Sequence, residues 1–162
     1  MKKKINSSRR KTRKYIVQAL YSWQISKNKI QDIKIYFLKK KKFFKIDTKY
    51  FKNILIGVIK NIKKIDFLIK NFIFRNIKQL GEIEKAVLRM SFYELFHRKD
   101  IPYKVVINEG IESVKKFGSK DSYKFINGVL NKVVKKIHLI KKNNNTNKKL
   151  KNNDIISIII NN

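Results

Sequence analysis

The chain has 162 residues, with 41 Lys and Arg against 11 Asp and Glu, and a formal net charge of +30. Apolar residues make up 43% of the sequence, enough to bury a core, which excludes a wholly disordered polyelectrolyte. The absence of cysteine excludes disulfides and thiol chemistry. No apolar run reaches the roughly 18 residues of a transmembrane helix, and no apolar stretch follows the basic start, so neither a membrane span nor a secretory signal is expected.

Part of the positive charge reflects a general preference for residues with A/T-rich codons. Only six of the 41 basic residues are Arg, and Lys, Ile and Asn, whose codons are rich in A and T, make up about half of the chain. A surface this basic still predicts an anionic partner, nucleic acid before membrane, because its field attracts polyphosphate. The rare arginines are therefore more informative than the common lysines.

The spacing of apolar residues predicts an all-α bundle of about seven helices. The predicted helices, in chain order, are Ser8 to Ser26, Ile30 to Phe37, two halves of Phe51 to Ile69, Glu82 to His97, Tyr103 to Phe117 and Tyr123 to Ile137. Ser7 or Ser8 is the expected N-cap of the first helix. Asp47 is the expected N-cap of the long pattern, which follows a connection at Phe43–Ile46 and turns a corner at Lys63–Asp66.

Both ends of the chain fall outside this helical pattern. Residues 1–8 are expected to be a flexible basic lead-in to a helical domain at residues 9–138. Residues 139–162 contain the low-complexity stretch KKNNNTNKKLKNND, which is typical of disorder, and finish with the apolar patch ISIIINN. We expect this tail to be disordered, with the final patch either unstructured or a weak docking segment.

Residues suited to catalysis are few. The histidines, His97 and His138, lie far apart and each borders a charged segment. Glu109 and Glu112 share a helix face but have no histidine at the spacing of a metal site. The sequence has no P-loop, GxGxxG or GxSxG motif. We therefore expect no enzyme activity, no metal and no cofactor.

Arginines concentrate at the start of the first helix. Arg9, Arg10 and Arg13 are three of the six in the chain. Cations at a helix N-terminus oppose the helix dipole, so helix stability does not explain them. Guanidinium groups bind phosphate through two hydrogen bonds and stack on bases. The block predicts contacts with nucleic acid, and a solubilising lead segment is the alternative.

The segment FGSKDSYKFINGVL is the second candidate site. A helix start at Ser119–Ser122 exposes backbone N–H groups that attract anions, and Lys120 and Lys124 flank it. Phe125 either stacks on an unpaired base or fills the core, and spacing alone favours the core. Asp121 is an ordinary N-cap candidate.

Four segments in this order and spacing closely resemble the NusB family of bacterial transcription antitermination factors: VQALYSWQIS, LGEIEKAVLRMSFYEL, IPYKVVINEGIE and FGSKDSYKFINGVL. The resemblance covers about residues 9–137. It implies an all-α fold of two packed helical sub-bundles without catalysis or cofactor. It also implies a cytoplasmic protein that binds the boxA element of nascent RNA together with NusE, a ribosomal protein of the small subunit. The pair would act in an antitermination complex on RNA polymerase, supporting transcription and maturation of ribosomal RNA.

The resemblance also assigns residues to the two partners. The implied RNA contacts are Arg9, Arg10, Arg13, Gln18, Arg89, Asp121, Ser122, Lys124 and Phe125. Tyr21 and Glu84 match positions that engage NusE.

Three other interpretations of the sequence are weaker. The chain is either a general RNA-binding or ribosome-assembly module without antitermination activity, or a degenerate relative that keeps the fold but not the RNA selectivity. A third interpretation, a ribosomal RNA cytosine methyltransferase with a NusB-like domain, conflicts with the length of the chain and the lack of a Gly-rich cofactor domain. The sequence is compatible with both a monomer and a homodimer.

Overall fold

The computed structural model describes residues 2–39, 46–143 and 151–161, with the side chains of residues 7–39, 46–143, 151 and 153–161. Those ranges contain no strand and eight α-helices, so the all-α prediction is confirmed. The helices are α1 (Lys2–Ser26), α2 (Ile30–Lys39), α3 (Thr48–Lys60), α4 (Ile62–Lys70), α5 (Glu82–His97), α6 (Tyr103–Phe117), α7 (Ser122–Asn143) and α8 (Asn152–Asn161). A 3₁₀ turn at Ile77–Gln79 precedes α5.

Helix α5 lies at the centre of the molecule. Every residue from Ala86 to Phe96 is buried except Arg89, and a helix that is apolar on nearly all sides belongs in a core. Helices α1, α2 and α3 contact one another and form the first sub-bundle. Helix α5 contacts α1 and α3, and it also contacts α4, α6, α7 and α8, which complete the second sub-bundle. The predicted arrangement of two packed sub-bundles is confirmed.

Two glycines allow the helices to approach α5 closely. A Cβ atom on Gly57 in α3 would lie 2.1 Å from Cζ of Tyr93 in α5. A Cβ atom on Gly110 in α6 would lie 3.0 Å from Oγ of Ser91. Any larger side chain at Gly57 would therefore have to displace the Tyr93 ring.

The joint between α3 and α4 lies earlier than predicted. The chain turns at Asn61 rather than at Lys63–Asp66, and the Asn61 amide donates to the Gly57 carbonyl at 2.8 Å. This side chain satisfies a carbonyl that the ending helix leaves free. Asp47 caps α3 as expected, since its carboxylate accepts from the Tyr50 N–H at 2.8 Å. Of the predicted connection before it, residues 43–45 lie outside the described residues.

Helix α1 begins at Lys2, which differs from the flexible lead-in and from the N-cap at Ser7 or Ser8 that the sequence predicts. No Gly or Pro interrupts these residues, and Lys and Arg favour helices. The Thr12 hydroxyl donates to the Ser8 carbonyl at 2.8 Å and accepts from the Asp47 N–H at 3.0 Å. This part of α1 is therefore held against the start of α3.

The C-terminal tail also differs from the expected disorder. Helix α7 continues to Asn143, residues 144–150 lie outside the described residues, and α8 contacts α4, α5 and α7. Ile155, Ile156 and Ile159 are buried, and their spacing places them on one face of α8. The Asn71 amide donates to the Ile159 carbonyl at 3.4 Å. Sequence reasoning missed α8 because a short run of β-branched residues shows no helical period by itself.

Replacing Ile156 by alanine should therefore destabilise the whole domain. Ile156 is 1% exposed, so Ile156→Ala is expected to lower the free energy of unfolding by about 2–5 kcal/mol, measured by urea denaturation. Ile25 is 57% exposed, and Ile25→Ala is the matched control, with an expected change of at most about 0.5 kcal/mol. Equal small effects of both changes would show that α8 does not pack on the domain in solution.

Candidate nucleic-acid interface

Arg13 is a buried structural residue. Its side chain is 3% exposed, and its Nε atom donates to both oxygens of Glu94 at 3.0 and 3.2 Å. The Tyr50 hydroxyl donates to the same carboxylate, which joins α1, α3 and α5 in one buried network. In this structure the buried and paired guanidinium presents almost no surface to a phosphate, and the RNA contact predicted for Arg13 stays a prediction.

Burial and charge together set the protonation of this network. Burial raises the pKa of Tyr50, and the nearby Glu94 carboxylate raises it further. Burial alone would lower the pKa of Arg13, but attraction to the Glu94 carboxylate leaves that pKa raised. At neutral pH the Arg13 guanidinium therefore keeps its charge, and the Tyr50 hydroxyl keeps the proton that it donates.

Arg9 and Arg10 lie nearer the surface and also meet carboxylates. An Nη atom of Arg9 donates to Asp100 at 3.1 Å. Arg10 lies 3.2 Å from a Glu112 oxygen and 3.8 Å from a Glu109 oxygen, and its side chain is 51% exposed. Exposed ion pairs of this kind contribute only about 0–1 kcal/mol, so a phosphate can replace the carboxylate. Arg10 is the arginine of this block best placed to meet RNA.

The Tyr50 ring lies among three guanidinium groups. The Cζ atoms of Arg9, Arg13 and Arg98 are 5.1, 5.3 and 5.0 Å from its centroid. Arg98 also donates two hydrogen bonds of 2.8 Å to Asp100, and these bonds lower the pKa of that carboxyl to about 2. One aromatic ring and ionised carboxylates thus hold these guanidinium groups in place.

Glu84 and Ser122, predicted to serve different partners, are bonded to each other. The Ser122 hydroxyl donates to a Glu84 oxygen at 2.8 Å, and the other Glu84 oxygen accepts from the Gly81 N–H at 3.1 Å. Ser122 is 4% exposed, and its hydroxyl also lies 2.6 Å from the Ser119 hydroxyl. These contacts hold the start of α7 against the start of α5, and the RNA contact predicted for Ser122 stays a prediction.

Asp121 and Lys124 are the exposed members of this group. Their side chains are 77% and 67% exposed, and Lys124 Nζ lies 3.1 Å from an Asp121 oxygen. The ammonium group is accessible to a phosphate. The neighbouring carboxylate competes for it and repels the same phosphate.

Phe125 is partly buried, and its ring carries a cation that sequence reasoning did not assign. The guanidinium of Arg75, from the segment after α4, lies 4.4 Å from the ring centroid. A planar guanidinium on a ring is itself a stacking surface, so a base would meet the Arg75–Phe125 pair rather than the ring alone. The only signal in the sequence was the rarity of arginine.

Arg89 joins helices instead of facing outward. Its guanidinium donates two hydrogen bonds of 2.8 Å to Asp66 and is 12% exposed, between two surface cavities of about 350 and 420 Å³. The guanidinium thus links α4 to α5, and the RNA contact predicted for Arg89 stays a prediction. Gln18 and Tyr21 lie three residues apart on α1, with Gln18 partly buried and Tyr21 41% exposed. Tyr21 is thus accessible to a partner.

The described ranges contain neither a metal-binding cluster nor a membrane span. No group of three His, Asp or Glu residues there is placed to hold a metal ion. None of the helices described is both long enough and apolar enough to cross a membrane.

The structural role of Arg13 predicts a large loss of stability on its removal. Arg13→Ala leaves the Glu94 carboxylate buried without its partner and is expected to lower the free energy of unfolding by about 3–5 kcal/mol. Arg10→Ala removes a half-exposed ion pair and should cost at most about 1 kcal/mol. Urea denaturation of both variants distinguishes the two roles, and equal losses would mean that Arg13 is not buried in solution.

The sequence of the chain is similar to those of known proteins. The NusB family profile matches residues 10–135. The transcription antitermination protein NusB of Buchnera aphidicola subsp. Acyrthosiphon pisum (strain Tuc7) is 57% identical over 136 residues, which cover 84% of this chain and 95% of that protein. The protein of the same name from Edwardsiella ictaluri (strain 93-146) is 49% identical over 131 residues, 81% of this chain and 94% of that one.

Solved structures share the fold. T. maritima NusB superimposes with a TM-score of 0.71 at 30% identity, covering 78% of this chain and 90% of that chain. The structure of the antitermination factors NusB and NusE in complex with dsRNA gives a TM-score of 0.70 at 24% identity, covering 80% of this chain and 97% of that chain. With its sequence matched from residue 10 to residue 135 and its close relatives aligned over nearly their whole length, the chain belongs to the NusB family.

Proposed function

We propose that this chain is a transcription antitermination factor that binds boxA in nascent ribosomal RNA transcripts together with NusE. The observation that carries the proposal is the sequence identity to a protein named for transcription antitermination. The two sequences are 57% identical over an alignment that covers 95% of that protein. A structure of the same fold contains NusB and NusE with RNA. The basic surface and the exposed groups at the start of α7 suit the same partners. Such a role places the chain in the cytoplasm and requires no catalysis, metal or cofactor.

The exposed cations supply affinity for the phosphate backbone. Arg10 on α1 and Lys124 on the first turn of α7 are each more than half exposed, and the chain carries +30 overall. Neutralising about five phosphates of a single strand gives a slope near −3.5 in log K against log salt concentration. Phosphate contacts position the RNA but do not read its sequence. Selectivity for boxA then depends on groups that touch the bases, such as the Arg75–Phe125 pair.

The two partner-binding candidates act differently. Tyr21 presents an exposed phenol on α1, and tyrosine is enriched at protein interfaces. Glu84 is bonded to Ser122 and to the Gly81 N–H, so we assign it a positioning role between α5 and α7. If NusE increases the affinity of the chain for boxA, boxA must increase its affinity for NusE by the same factor.

A general RNA-binding module without boxA preference is the second candidate. One observation favours it: Arg9, Arg10, Arg13, Arg89 and Arg98 all meet carboxylates of the same chain. Much of the remaining positive charge is lysine, which contacts phosphate as a point charge and reads no base.

A gel-shift titration separates the two candidates. The chain, alone and with its cognate NusE, is titrated against boxA RNA and a scrambled RNA of the same length and composition. We expect the pair to bind boxA more tightly than either protein alone does, and more tightly than it binds the scrambled RNA. Equal affinity for both RNAs in the presence of NusE would favour the general module.

Opposite changes at one ion pair should move RNA affinity in opposite directions. Glu112→Gln removes a carboxylate that competes for Arg10 and should strengthen binding, whereas Arg10→Ala should weaken it and reduce the salt slope by about 0.7. Asp32→Asn, on the exposed surface of α2, makes the same charge change as Glu112→Gln and serves as its control. If Asp32→Asn and Glu112→Gln strengthen binding equally, only net charge matters and Arg10 has no specific contact.

A further inference from the structure

Phe74 is the most exposed of the large apolar side chains described. It lies between α4 and the 3₁₀ turn, and its side chain is 99% exposed. Because the ring buries almost no surface, it adds no apolar burial to the stability of the fold. The Nζ atom of Lys132 in α7 lies 4.4 Å from the centroid of this ring.

The Phe74–Lys132 pair lies beside the Arg75–Phe125 pair. Phe125 and Lys132 are seven residues apart on α7, so they share a face at a separation of about 10 Å along the axis. Phe74 and Arg75 are consecutive, and the segment after α4 therefore follows this face of α7. Gly128 lies between the pairs, and a Cβ atom there would have no neighbour within 4 Å, so the surface between them is open.

The two cations of this surface, Arg75 and Lys132, have no carboxylate partner in the part of the chain that the structure describes. Arg9, Arg10, Arg13, Arg89 and Arg98 form ion pairs with carboxylates. In contrast, neither Arg75 nor Lys132 forms an ion pair with any carboxylate of the described residues. Two exposed cations alternating with two aromatic rings match a ligand that has both negative charge and flat apolar faces. Single-stranded RNA has both, since its phosphates are anionic and its unpaired bases can stack.

We propose that Phe74 and Lys132 form a second base-stacking site, which continues the Arg75–Phe125 surface and takes an unpaired base of single-stranded RNA. The proposal rests on the proposed RNA-binding function and adds a contact to it. The Phe74 ring stacks on the base, and the Lys132 ammonium binds a neighbouring phosphate. A duplex cannot use this site, because its bases are already stacked and paired.

The test is fluorescence anisotropy with a single-stranded RNA containing boxA and with a duplex of the same sequence, using the full chain with NusE. Phe74→Ala should weaken binding of the single strand about fivefold or more, and Phe74→Trp should restore it. Because no charge is removed, the salt slope of Phe74→Ala should stay unchanged, whereas Lys132→Ala should reduce it by about 0.7. Phe67→Ala, at a ring 46% exposed on α4, is the matched control and should bind as the unmodified chain does.

Each failure has a distinct signature. Because Phe74 is 99% exposed, Phe74→Ala should keep the thermal midpoint of the unmodified chain, which separates lost binding from lost folding. If Phe74→Ala weakened binding of the single strand no more than Phe67→Ala does, the proposal would be overturned and the proposed function would stay intact. An equal loss on the duplex, or a loss of NusE binding without RNA, would also overturn it. If the unmodified chain with NusE bound no RNA at all, the proposed function itself would fail.

Discussion

The buried pair of Arg13 and Glu94 determines how the two sub-bundles meet. Glu94 lies in the most buried stretch of α5, where an uncompensated carboxylate would cost several kcal/mol. Helix α1 must bring Arg13 to it, and α3 must bring the Tyr50 hydroxyl. This requirement fixes the position of α1 along α5. Arg9 and Arg10, one turn before Arg13, consequently reach the surface beside the carboxylates that pair with them.

The same arrangement places carboxylates of the chain beside its arginines, where in the proposed function they compete with RNA. Competition is weak at Arg10, which is half exposed, and strong at Arg13, which is buried. Arg75 is different, because it lies on the Phe125 ring instead of beside a carboxylate. In the proposed function, an RNA strand therefore gains general affinity from lysines and from ion pairs that it can open. In that proposal, its most specific contact with this surface lies where guanidinium and aromatic groups are stacked.

Periodicity alone was sufficient to predict most helices, but not the contacts between them. Helices α5 and α6 begin at the predicted residues, and Asp47 caps α3, because apolar spacing and capping are local properties. The partner of Arg13 is 81 residues away, and nothing near Arg13 in the sequence indicates it. One distant signal was present: Glu94 is a carboxylate within an apolar helix, and such a residue requires a buried partner. Arg75 gave no signal beyond its rarity, because its position over Phe125 depends on the path of the loop after α4.

Helix α8 lies outside the family match at residues 10–135, yet it packs on the core of that family's fold. A net charge of +30 makes a compact chain repel itself. The buried isoleucines Ile155, Ile156 and Ile159 oppose this repulsion with apolar contacts that salt does not screen. Helix α7 takes part in both the candidate interface and the packing of α8. Its first turns carry Lys124 and Phe125, and α8 contacts the same helix. A strongly basic surface and a stable core are thus compatible in this chain, since charge and apolar burial occupy different faces of shared helices.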